Sequence, residues 1–422
     1  MKIVTLSKEE FDDYSSKHIF NTYFQSSNYA DFAKINDQYN AHYLGFVDES
    51  GNIIGASLML YKPLFWGYKY AYAPRGLLIN YDDPEMISSV TKSIKKLLKK
   101  QKFIFIKINP LIVVSERDKT GKIIKFNNNV NQILETFKEN DYEHLGFNIY
   151  NESTLPRWNV IAKLNKDGRI MYNYFSPDVK EKISYANNIG LIVEEDPEAS
   201  VERFFSIVKK TTTKFSKKRL TILRNAFFES GKIKIFYVKL DTKKYVENAN
   251  KLYSAEEEKN LELGNIIQSG DSVNYDIQKA VKDKITSDRL LHTYKKDIVT
   301  SIKLMKTYPN GIYCGVAVTI EDARGVNIET SFVDNTFIRY SPNTLLVYEI
   351  MKYYSKLGFN YINIGAVTGN FDPQSKYYSL LESKLGFNSS ILEYIGEFNC
   401  IINPTLYKIY KRKYHVVTNE KK

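Results

Sequence analysis

The residues whose types and spacing could carry chemistry lie near the end of the 422-residue chain. Residues 359–364 predict a buried strand, residues 365–372 a polar loop punctuated by glycine, and residues around 377–383 a short helix. The tetrapeptide KLGF at 384–387 follows. A cation beside a glycine at a helix end, facing a polar loop at the carboxyl end of a strand, is suited to bind an anionic group. Lys384 is therefore the first candidate for a functional side chain.

Composition narrows the class of protein. The length predicts two or more domains, and 43% hydrophobic with 26% charged residues is typical of a globular chain. The net charge of +12 favours a polyanionic partner, either nucleic acid or an anionic membrane face, although a generally basic protein without such a partner has the same composition. The polar start of the chain and the lack of an apolar run of about 18 residues lead us to expect a cytoplasmic protein.

Several kinds of site find no support in the sequence. The five histidines are scattered and the two cysteines, Cys314 and Cys400, are far apart, so we expect neither a metal centre nor a disulfide framework. There is no phosphate-binding loop of the GxxxxGK type and no dinucleotide fingerprint. We therefore expect no cofactor.

An internal repeat of element order predicts the fold. A hairpin at 41–61 is followed by a strand at 68–73, a helix at 84–102 and a strand at 103–108. A second hairpin at 311–333 is followed by a helix at 342–356 and the strand at 359–364. The shared order predicts a duplicated α/β unit in which helices cover mixed sheets.

The middle of the chain is more basic and more helical. Residues 201–228 predict one long basic helix, and residues 241–300 predict two antiparallel helices. These two helices either project as an arm or pack on the body of the protein. The basic helix and the highly charged arm are both candidates for contacts with nucleic-acid phosphates, and a solvated charged face is the alternative.

Short motifs along nearly the whole chain resemble the Fem family, whose members transfer amino acids from aminoacyl-tRNA onto peptidoglycan precursors. The motifs are FQSS at 24–27, YAPRGLLINY at 72–81, LPR at 155–157, KISYANNIG at 182–190, NIGAVTG at 363–369, SKLGF at 383–387 and EYIGEF at 393–398. The resemblance implies tandem GNAT-like acyltransferase units. It assigns 1–150 to the first unit together with a returning C-terminal helix within 398–422, assigns 151–240 and 301–397 to the second unit, and makes 241–300 an inserted helical arm.

The resemblance also implies a reaction and its partners. Aminoacyl-tRNA is the donor of Gly, Ser or Ala and is a co-substrate rather than a cofactor. The acceptor is the stem-peptide amine of lipid II or of UDP-MurNAc-pentapeptide. An acceptor with a lipid tail would bring the protein into peripheral contact with the inner membrane face, as a monomer or a homodimer.

Roles for individual residues come from the same resemblance. Lys384 matches a lysine of the family's catalytic cleft, which would position the donor or stabilise an oxyanion. Lys34 and Lys182 lie at or next to places where the family binds phosphate, and Lys182 replaces an arginine there. The remaining implied substrate-binding residues are Arg75, Tyr185 and Phe387. For Arg75, a structural bond to a loop carbonyl is the alternative.

Two departures from the family pattern affect the choice of a base. Asn109 stands where the family commonly has an aspartate, and an amide cannot accept the proton of an attacking amine. Asp334 lies in a segment, 332–336, that replaces a glycine-rich family motif, so it could add a carboxylate near the amine. We therefore name Asp334 with Lys384 as catalytic candidates.

Two other functions remain open. An acyl-CoA-dependent GNAT enzyme would need a pyrophosphate-binding loop rich in glycine at the start of a helix, and the sequence has none. A non-catalytic protein of the same fold that binds RNA or a cell-wall precursor would not need Lys384.

Overall fold

The computed structural model of the protein describes residues 1–150 and 152–414. The strands are β1 (Lys2–Thr5), β2 (Asn40–Val47), β3 (Ile53–Pro63), β4 (Lys69–Ala73), β5 (Phe103–Ile108), β6 (Val113–Arg117), β7 (Ile123–Phe126), β8 (Tyr142–His144), β9 (Trp158–Lys163), β10 (Leu191–Asp196), β11 (Ile233–Leu240), β12 (Ile312–Glu321), β13 (Gly325–Val333), β14 (Tyr361–Ala366), β15 (Ser389–Tyr394) and β16 (Phe398–Ile401). The α-helices are α1 (Lys8–Lys17), α2 (Ser27–Asp37), α3 (Pro84–Lys100), α4 (Val130–Glu139), α5 (Gly168–Asn173), α6 (Pro177–Asn188), α7 (Val201–Val208), α8 (Lys217–Phe227), α9 (Thr242–Ser269), α10 (Ile277–Thr307), α11 (Pro342–Lys356), α12 (Tyr378–Leu385) and α13 (Pro404–Lys413). A 3₁₀ helix spans Asn335–Tyr340.

The first sheet has seven strands in the order β1-β2-β3-β4-β5-β16-β8. Strands β1 to β4 pair antiparallel, and β4 pairs with β5 in parallel. A parallel pair needs a crossover, and α3 supplies it. Helix α3 begins at Pro84 behind the N-cap Asp83 and buries one apolar stripe, which includes Ile87, Val90 and Ile94, against this sheet.

The second sheet has nine strands in the order β10-β11-β12-β13-β14-β9-β15-β6-β7. Its centre repeats the arrangement of the first sheet, since β12 and β13 form an antiparallel hairpin, α11 crosses over, and β14 pairs with β13 in parallel. The predicted α/β fold of two related units with mixed sheets is confirmed.

Strand membership crosses the predicted boundary between the units. Strands β6 and β7 precede residue 150, yet β6 pairs with β15 at the far side of the second sheet. In return, β16 follows β15 and enters the first sheet between β5 and β8. Each sheet is therefore completed by a strand from a distant part of the sequence. The division of the chain into two units by residue range stays a prediction.

Helix α13 packs on the first sheet, where Tyr407 is buried against Phe105. A returning C-terminal helix was expected within 398–422, and its assignment to the first unit stays a prediction. Residues 415–422 of the predicted range lie outside the described residues.

The prediction of one helix over 201–228 is wrong. The structure has two helices, α7 and α8, separated by residues 209–216. Three consecutive β-branched residues, Thr211, Thr212 and Thr213, have low helix propensity, which disfavours a continuous helix. Ser216 then begins α8, since its hydroxyl accepts a hydrogen bond from the backbone of Arg219.

Helices α9 and α10 form an antiparallel helical hairpin, in which α10 extends to Thr307, beyond the limit of 300 expected for the arm. They pack along each other, with Asn260 of α9 donating a hydrogen bond to Ser287 of α10. Contacts with the rest of the protein are concentrated at the base, where Tyr245 of α9 joins the core of the second sheet and donates a hydrogen bond to Asp297 of α10. The buried residues of α9 are Thr242, Tyr245 and Ala249, all in its first third.

Candidate active site

A cleft of about 800 Å³ lies between the two sheets. The first sheet and α2 contribute one wall, and the second sheet with α11, α12 and the start of α8 contributes the other. Charged and polar residues that line it include Asp37, Lys62, Arg75, Arg219, Asp322, Asn327, Glu329, Asn363 and Lys384. A large cleft with converging polar groups between two units is the default location of a site for a sizeable substrate.

Lys384 lies in the last turn of α12 and points into this cleft. Its side-chain nitrogen donates a hydrogen bond of 2.9 Å to the carbonyl oxygen of Ala366. Within residues 1–150 and 152–414, no carboxylate forms an ion pair with it. Burial lowers the pKa of the Lys384 ammonium to about 8. The Lys384 ammonium is therefore a cation without a counter-ion among the described residues. Because its pKa is about 8, it can also release a proton near neutral pH.

Gly365 makes room for this lysine. Its backbone has a φ of +116°, a conformation that L side chains rarely adopt, and a Cβ atom at this residue would lie 2.9 Å from the Lys384 nitrogen. The predicted strand 359–364 is in fact β14, which extends to Ala366, so the glycine lies within the strand end rather than after it.

Three asparagines form a polar row across the strands beside Lys384. The side-chain nitrogen of Asn363 lies 3.2 Å from the side-chain oxygen of Asn327 and 3.4 Å from that of Asn159. The Asn363 oxygen in turn accepts a hydrogen bond of 2.9 Å from the backbone nitrogen of Gly365. These bonds fix the amide groups, so the floor of the cleft offers neutral hydrogen-bonding groups in set positions.

Arg75 lies in the cleft but is held by structural bonds. Its guanidinium donates a hydrogen bond of 2.7 Å to the carbonyl of Pro156 and lies 5.0 Å from the ring centroid of Tyr394. Its backbone nitrogen donates to the side-chain oxygen of Asn109 at 2.7 Å. Bonding to a loop carbonyl is the structural alternative considered from sequence, and it occupies one of the five guanidinium donors of Arg75.

Asn109 organises the loop around Arg75. Its side-chain nitrogen lies 3.0 Å from the hydroxyl of Tyr72 and 3.3 Å from a carboxylate oxygen of Glu397. An aspartate here would place a second carboxylate against Glu397. The amide is thus matched to its neighbours, which gives a physical reason for the departure from the family pattern.

Two carboxylates in the cleft join the second sheet to the segment before α2. Asp322, in the turn between β12 and β13, accepts hydrogen bonds from the backbone nitrogen of Tyr23 at 2.5 Å and from Asn327 at 2.8 Å. Burial raises the pKa of the Asp322 carboxyl to about 7. Glu329 of β13 accepts from the hydroxyl of Tyr23 at 2.9 Å and lies 3.3 Å from the guanidinium of Arg219.

These residues were missed as site residues by sequence reasoning. A carboxylate in a hairpin turn carries no sequence signal of its own, and Arg219 was grouped with the basic residues of 201–228 as a candidate for nucleic-acid contacts. The start of α8 at Ser216 turns Arg219 into the cleft, where its guanidinium lies 5.0 Å from the ring centroid of Phe32.

Asp334 lies outside the cleft lining. It is buried and caps the 3₁₀ helix, since its carboxylate accepts a hydrogen bond of 3.0 Å from the backbone nitrogen of Thr336. The ammonium of Lys210 lies 3.5 Å from its other oxygen. The local bonds explain why an aspartate is favourable there without a role at the substrate.

The other residues that the resemblance implied are spread over the protein. Lys34 is exposed on α2, next to the cleft-lining Ala33, and Lys182 forms an exposed ion pair of 2.8 Å with Asp178. Tyr185 is partly exposed on α6, with its ring 6.4 Å from that of Tyr340. Phe387 is buried in the core of the second sheet. In the part of the chain that the structure describes, Lys384 and Arg75 line the cleft, and Lys34, Lys182, Tyr185, Phe387 and Asp334 do not.

Metal and disulfide chemistry are not indicated by the geometry. Among the described residues, no group of three or more His, Cys, Asp or Glu side chains could hold a metal ion. Cys314 and Cys400 are both buried and free. None of the helices within 1–150 and 152–414 is long and apolar enough to cross a membrane.

Comparison with known proteins identifies the family. The family model described as the FemAB family matches residues 6–415. The lipid II:glycine glycyltransferase of Staphylococcus aureus is 24% identical over 417 residues, which cover 97% of this chain and 95% of that protein. The enzyme of the same name from Staphylococcus epidermidis is 23% identical over 424 residues, with 98% and 95% covered.

A solved structure agrees in fold. The crystal structure of FemX superposes with a TM-score of 0.75 at 21% identity and covers 97% of this chain and 99% of that chain. The family model spans nearly the whole chain and includes every motif on which the resemblance was based. The chain belongs to the FemAB family.

Proposed function

We propose that the protein is a cytoplasmic aminoacyltransferase that moves Gly, Ser or Ala from aminoacyl-tRNA to the stem-peptide amine of a peptidoglycan precursor. The observation that carries this proposal is Lys384, a cation without a carboxylate partner among the described residues, at the floor of a cleft between two acyltransferase-like units. Family membership and relatives named lipid II:glycine glycyltransferases support the substrate class.

The reaction forms one bond and breaks another. The neutral amine attacks the ester carbonyl of the donor, a C–N bond forms, and the C–O bond to the tRNA ribose breaks. One proton passes from the attacking nitrogen to the leaving oxygen. Negative charge develops on the carbonyl oxygen in between, and we assign its stabilisation to the Lys384 ammonium.

The cleft also carries cations suited to the anionic part of the acceptor. Lys62 lies over the ring of Tyr39 at 4.1 Å on one wall, and Arg219 lies on the other. A diphosphate that links the sugar to its carrier needs such donors, and a guanidinium is favoured for bidentate contacts. We propose Lys62 and Arg219 for this role, with Lys34 at the rim. Lys182, Tyr185 and Phe387 remain predictions from the family resemblance.

The donor is a polyanion, and basic exposed residues at Lys217 and Lys218 of α8 and along the arm offer contacts to its phosphates. A sequence-independent interaction of this kind requires no stacked aromatic module. We propose no cofactor beyond this co-substrate, and either a monomer or a homodimer as the active form.

A transfer assay tests the proposal. Purified protein is given tRNA charged with one radiolabelled amino acid at a time and either lipid II or UDP-MurNAc-pentapeptide as acceptor. We expect label on the acceptor with glycine, serine or alanine and a loss of roughly 10²–10³-fold in the Lys384→Ala variant.

Lys356 offers a matched control, because it also lies in the last turn of a helix but is exposed. Lys356→Ala should transfer at the wild-type rate. If no charged tRNA supports transfer to either acceptor, the protein is a non-catalytic binder of RNA or precursor. If acetyl-CoA supports transfer instead, it is an acyl-CoA-dependent enzyme.

A further inference from the structure

The loop between β3 and β4 exposes a tryptophan at its tip. Trp66 is 71% exposed, whereas the adjacent Phe65 is buried and contacts the indole edge-on at 5.0 Å. The other tryptophan of the chain, Trp158, is only 4% exposed. An exposed indole on a buried anchor is typical of a residue that meets a membrane interface or a partner, since the ring is apolar and its N–H is polar.

A cationic helix lies next to this loop. The ammonium of Lys413 on α13 lies 5.1 Å from the ring centroid of Phe65, and Leu64 and Tyr68 of the loop pack with Phe65 against the same helix. Helix α13 also exposes Lys408 and Arg412, and the exposed Tyr414 follows it. Neither Pro404–Lys413 nor residues 63–68 contains an acidic residue. We call Trp66, Lys408, Arg412, Lys413 and Tyr414 the docking surface.

The docking surface is continuous with one wall of the cleft. Strand β3 runs directly from the cleft-lining Lys62 into the loop that carries Trp66. The cleft-lining Tyr39 shares a hydrogen bond of 2.9 Å with the hydroxyl of Tyr70.

Aromatic contacts extend this connection to the helix. The ring of Tyr70 lies 5.6 Å from that of Phe105, which in turn lies 4.7 Å from that of Tyr410 on α13. A series of aromatic contacts therefore joins the wall of the cleft to the helix that carries the cations.

We propose that the docking surface seats the protein on an anionic bilayer, with the Trp66 indole at the level of the lipid headgroups and the cations of α13 against lipid phosphates. Lys411 of α13 pairs with Glu143 at 2.7 Å, whereas Lys408, Arg412 and Lys413 form no ion pair among the described residues. Such unpaired cations are attracted to an anionic leaflet, and an interfacial aromatic adds apolar contact. The cleft then opens beside the membrane surface. This inference rests on the proposed function, because a lipid-linked acceptor presents its headgroup there.

Tryptophan fluorescence tests the insertion directly, because Trp158 is buried. Vesicles of phosphatidylglycerol and phosphatidylcholine that contain no peptidoglycan precursor should shift the emission of Trp66 to the blue, and brominated lipids should quench it. The Trp66→Phe variant leaves only Trp158 and should show neither effect. Unchanged emission of the wild-type protein in the presence of vesicles that it binds would overturn the proposal.

Charge variants test the cations of the docking surface. The triple variant Lys408→Gln/Arg412→Gln/Lys413→Gln should partition onto anionic vesicles at least about fivefold more weakly. The matched control changes three exposed lysines of the arm, Lys279→Gln/Lys282→Gln/Lys296→Gln, and so removes the same charge. An equal loss in both variants would show that the overall positive charge, and not this surface, attracts the vesicles.

The outcomes separate the proposal from its rivals. If the α13 triple variant loses affinity for bulk tRNA and keeps its affinity for vesicles, the surface binds RNA and the membrane proposal fails. Transfer to the soluble UDP-MurNAc-pentapeptide should be unchanged in the α13 triple variant, whereas transfer to lipid II in vesicles should fall. If the wild-type protein binds vesicles but transfers an amino acid to neither acceptor, the proposed function is rejected and the proposal of a membrane-docking surface is retained.

Discussion

The side-chain nitrogen of Lys384 lies 2.9 Å from the carbonyl oxygen of Ala366. Ala366 and its neighbour Gly365 form the end of strand β14 and line the cleft. A backbone carbonyl orients an ammonium group without neutralising it, since it carries no net charge. Two of the three ammonium protons stay available to a substrate oxygen. Position and charge are thus both set before a substrate arrives.

Gly365→Ala should disturb this arrangement. The new methyl group would lie 2.9 Å from the Lys384 nitrogen, and the φ of +116° would strain the backbone. We expect the free energy of unfolding to fall by about 1–3 kcal/mol and the transfer rate to fall at least tenfold. Gly51→Ala is the matched control, because Gly51 has a φ of +88° and no atom within 4 Å of the new methyl group. Chemical denaturation and the transfer assay should show comparable strain in both variants and a loss of activity in Gly365→Ala alone.

Replacing Lys384 by methionine should separate stability from activity. Because burial lowers the pKa of Lys384 to about 8, the folded protein holds its proton less tightly than the unfolded chain does. Wild-type stability therefore increases with pH from about 8 to the ordinary lysine range, and the buried charge is destabilising below pH 8. Lys384→Met should raise the free energy of unfolding by about 1–3 kcal/mol at pH 7 and abolish transfer.

The advantage of Lys384→Met should shrink as the pH rises toward 10. Lys356→Met, at an exposed site, provides the comparison and should change neither stability nor its dependence on pH. A Lys384→Met protein that is less stable than wild type at pH 7 would contradict the assignment of Lys384 as a desolvated cation.

Asn109→Asp tests whether residue 109 is an amide because it faces the carboxylate of Glu397. The new carboxylate would face Glu397 and would lose the bonds that the amide donates to Tyr72 and Glu397. We expect a loss of about 1–3 kcal/mol in the free energy of unfolding at pH 7. Adding Glu397→Gln should recover part of that loss, which a double-mutant cycle measures. Additive effects of the two substitutions would show that residues 109 and 397 do not interact.

The burial of Asp322 predicts a pH-dependent stability. Burial raises the pKa of Asp322 to about 7, so the folded protein binds a proton between the ordinary aspartate range and pH 7 that the unfolded chain does not. The contribution of this residue to stability consequently falls as the pH rises through that range.

Asp322→Asn removes this titration. From pH 5 to pH 8, the stability of the variant relative to wild type should improve by about 1–3 kcal/mol, measured by urea denaturation at each pH. Asp48→Asn is the comparison, because Asp48 lies in an exposed turn and its pKa is lowered rather than raised. A constant difference between Asp322→Asn and wild type over this range would refute the assignment.

The repeated order of elements could be predicted from the sequence because hydrophobic periodicity and turn residues are local signals. The arm over α9 and α10 and the crossover helices α3 and α11 follow from such patterns. The location of Lys384 in a cleft did not follow from any local pattern. It required the family resemblance, since a lysine near a helix end is ordinarily exposed.

Sequence patterns could not predict which strands pair with each other or which distant residues meet in the cleft. A strand such as β6 has the same local pattern whichever sheet it joins, and its partner β15 lies more than 270 residues away. The carboxylate of Asp322 likewise accepts a hydrogen bond from Tyr23, which lies 299 positions earlier in the chain. Interactions between distant segments determine the shape of the cleft, and single-sequence patterns do not encode them.

The place of β16 between β5 and β8 affects how the chain is made. A ribosome releases residues 103–144 long before it releases Phe398–Ile401, so the nascent first sheet has a gap where its sixth strand belongs. The first sheet therefore departs from the usual order, in which an N-terminal domain is completed while the remainder of the chain is being synthesised. The protein completes its first sheet only after Phe398–Ile401 has been synthesised, and a product terminated shortly before residue 398 lacks the sixth strand of that sheet.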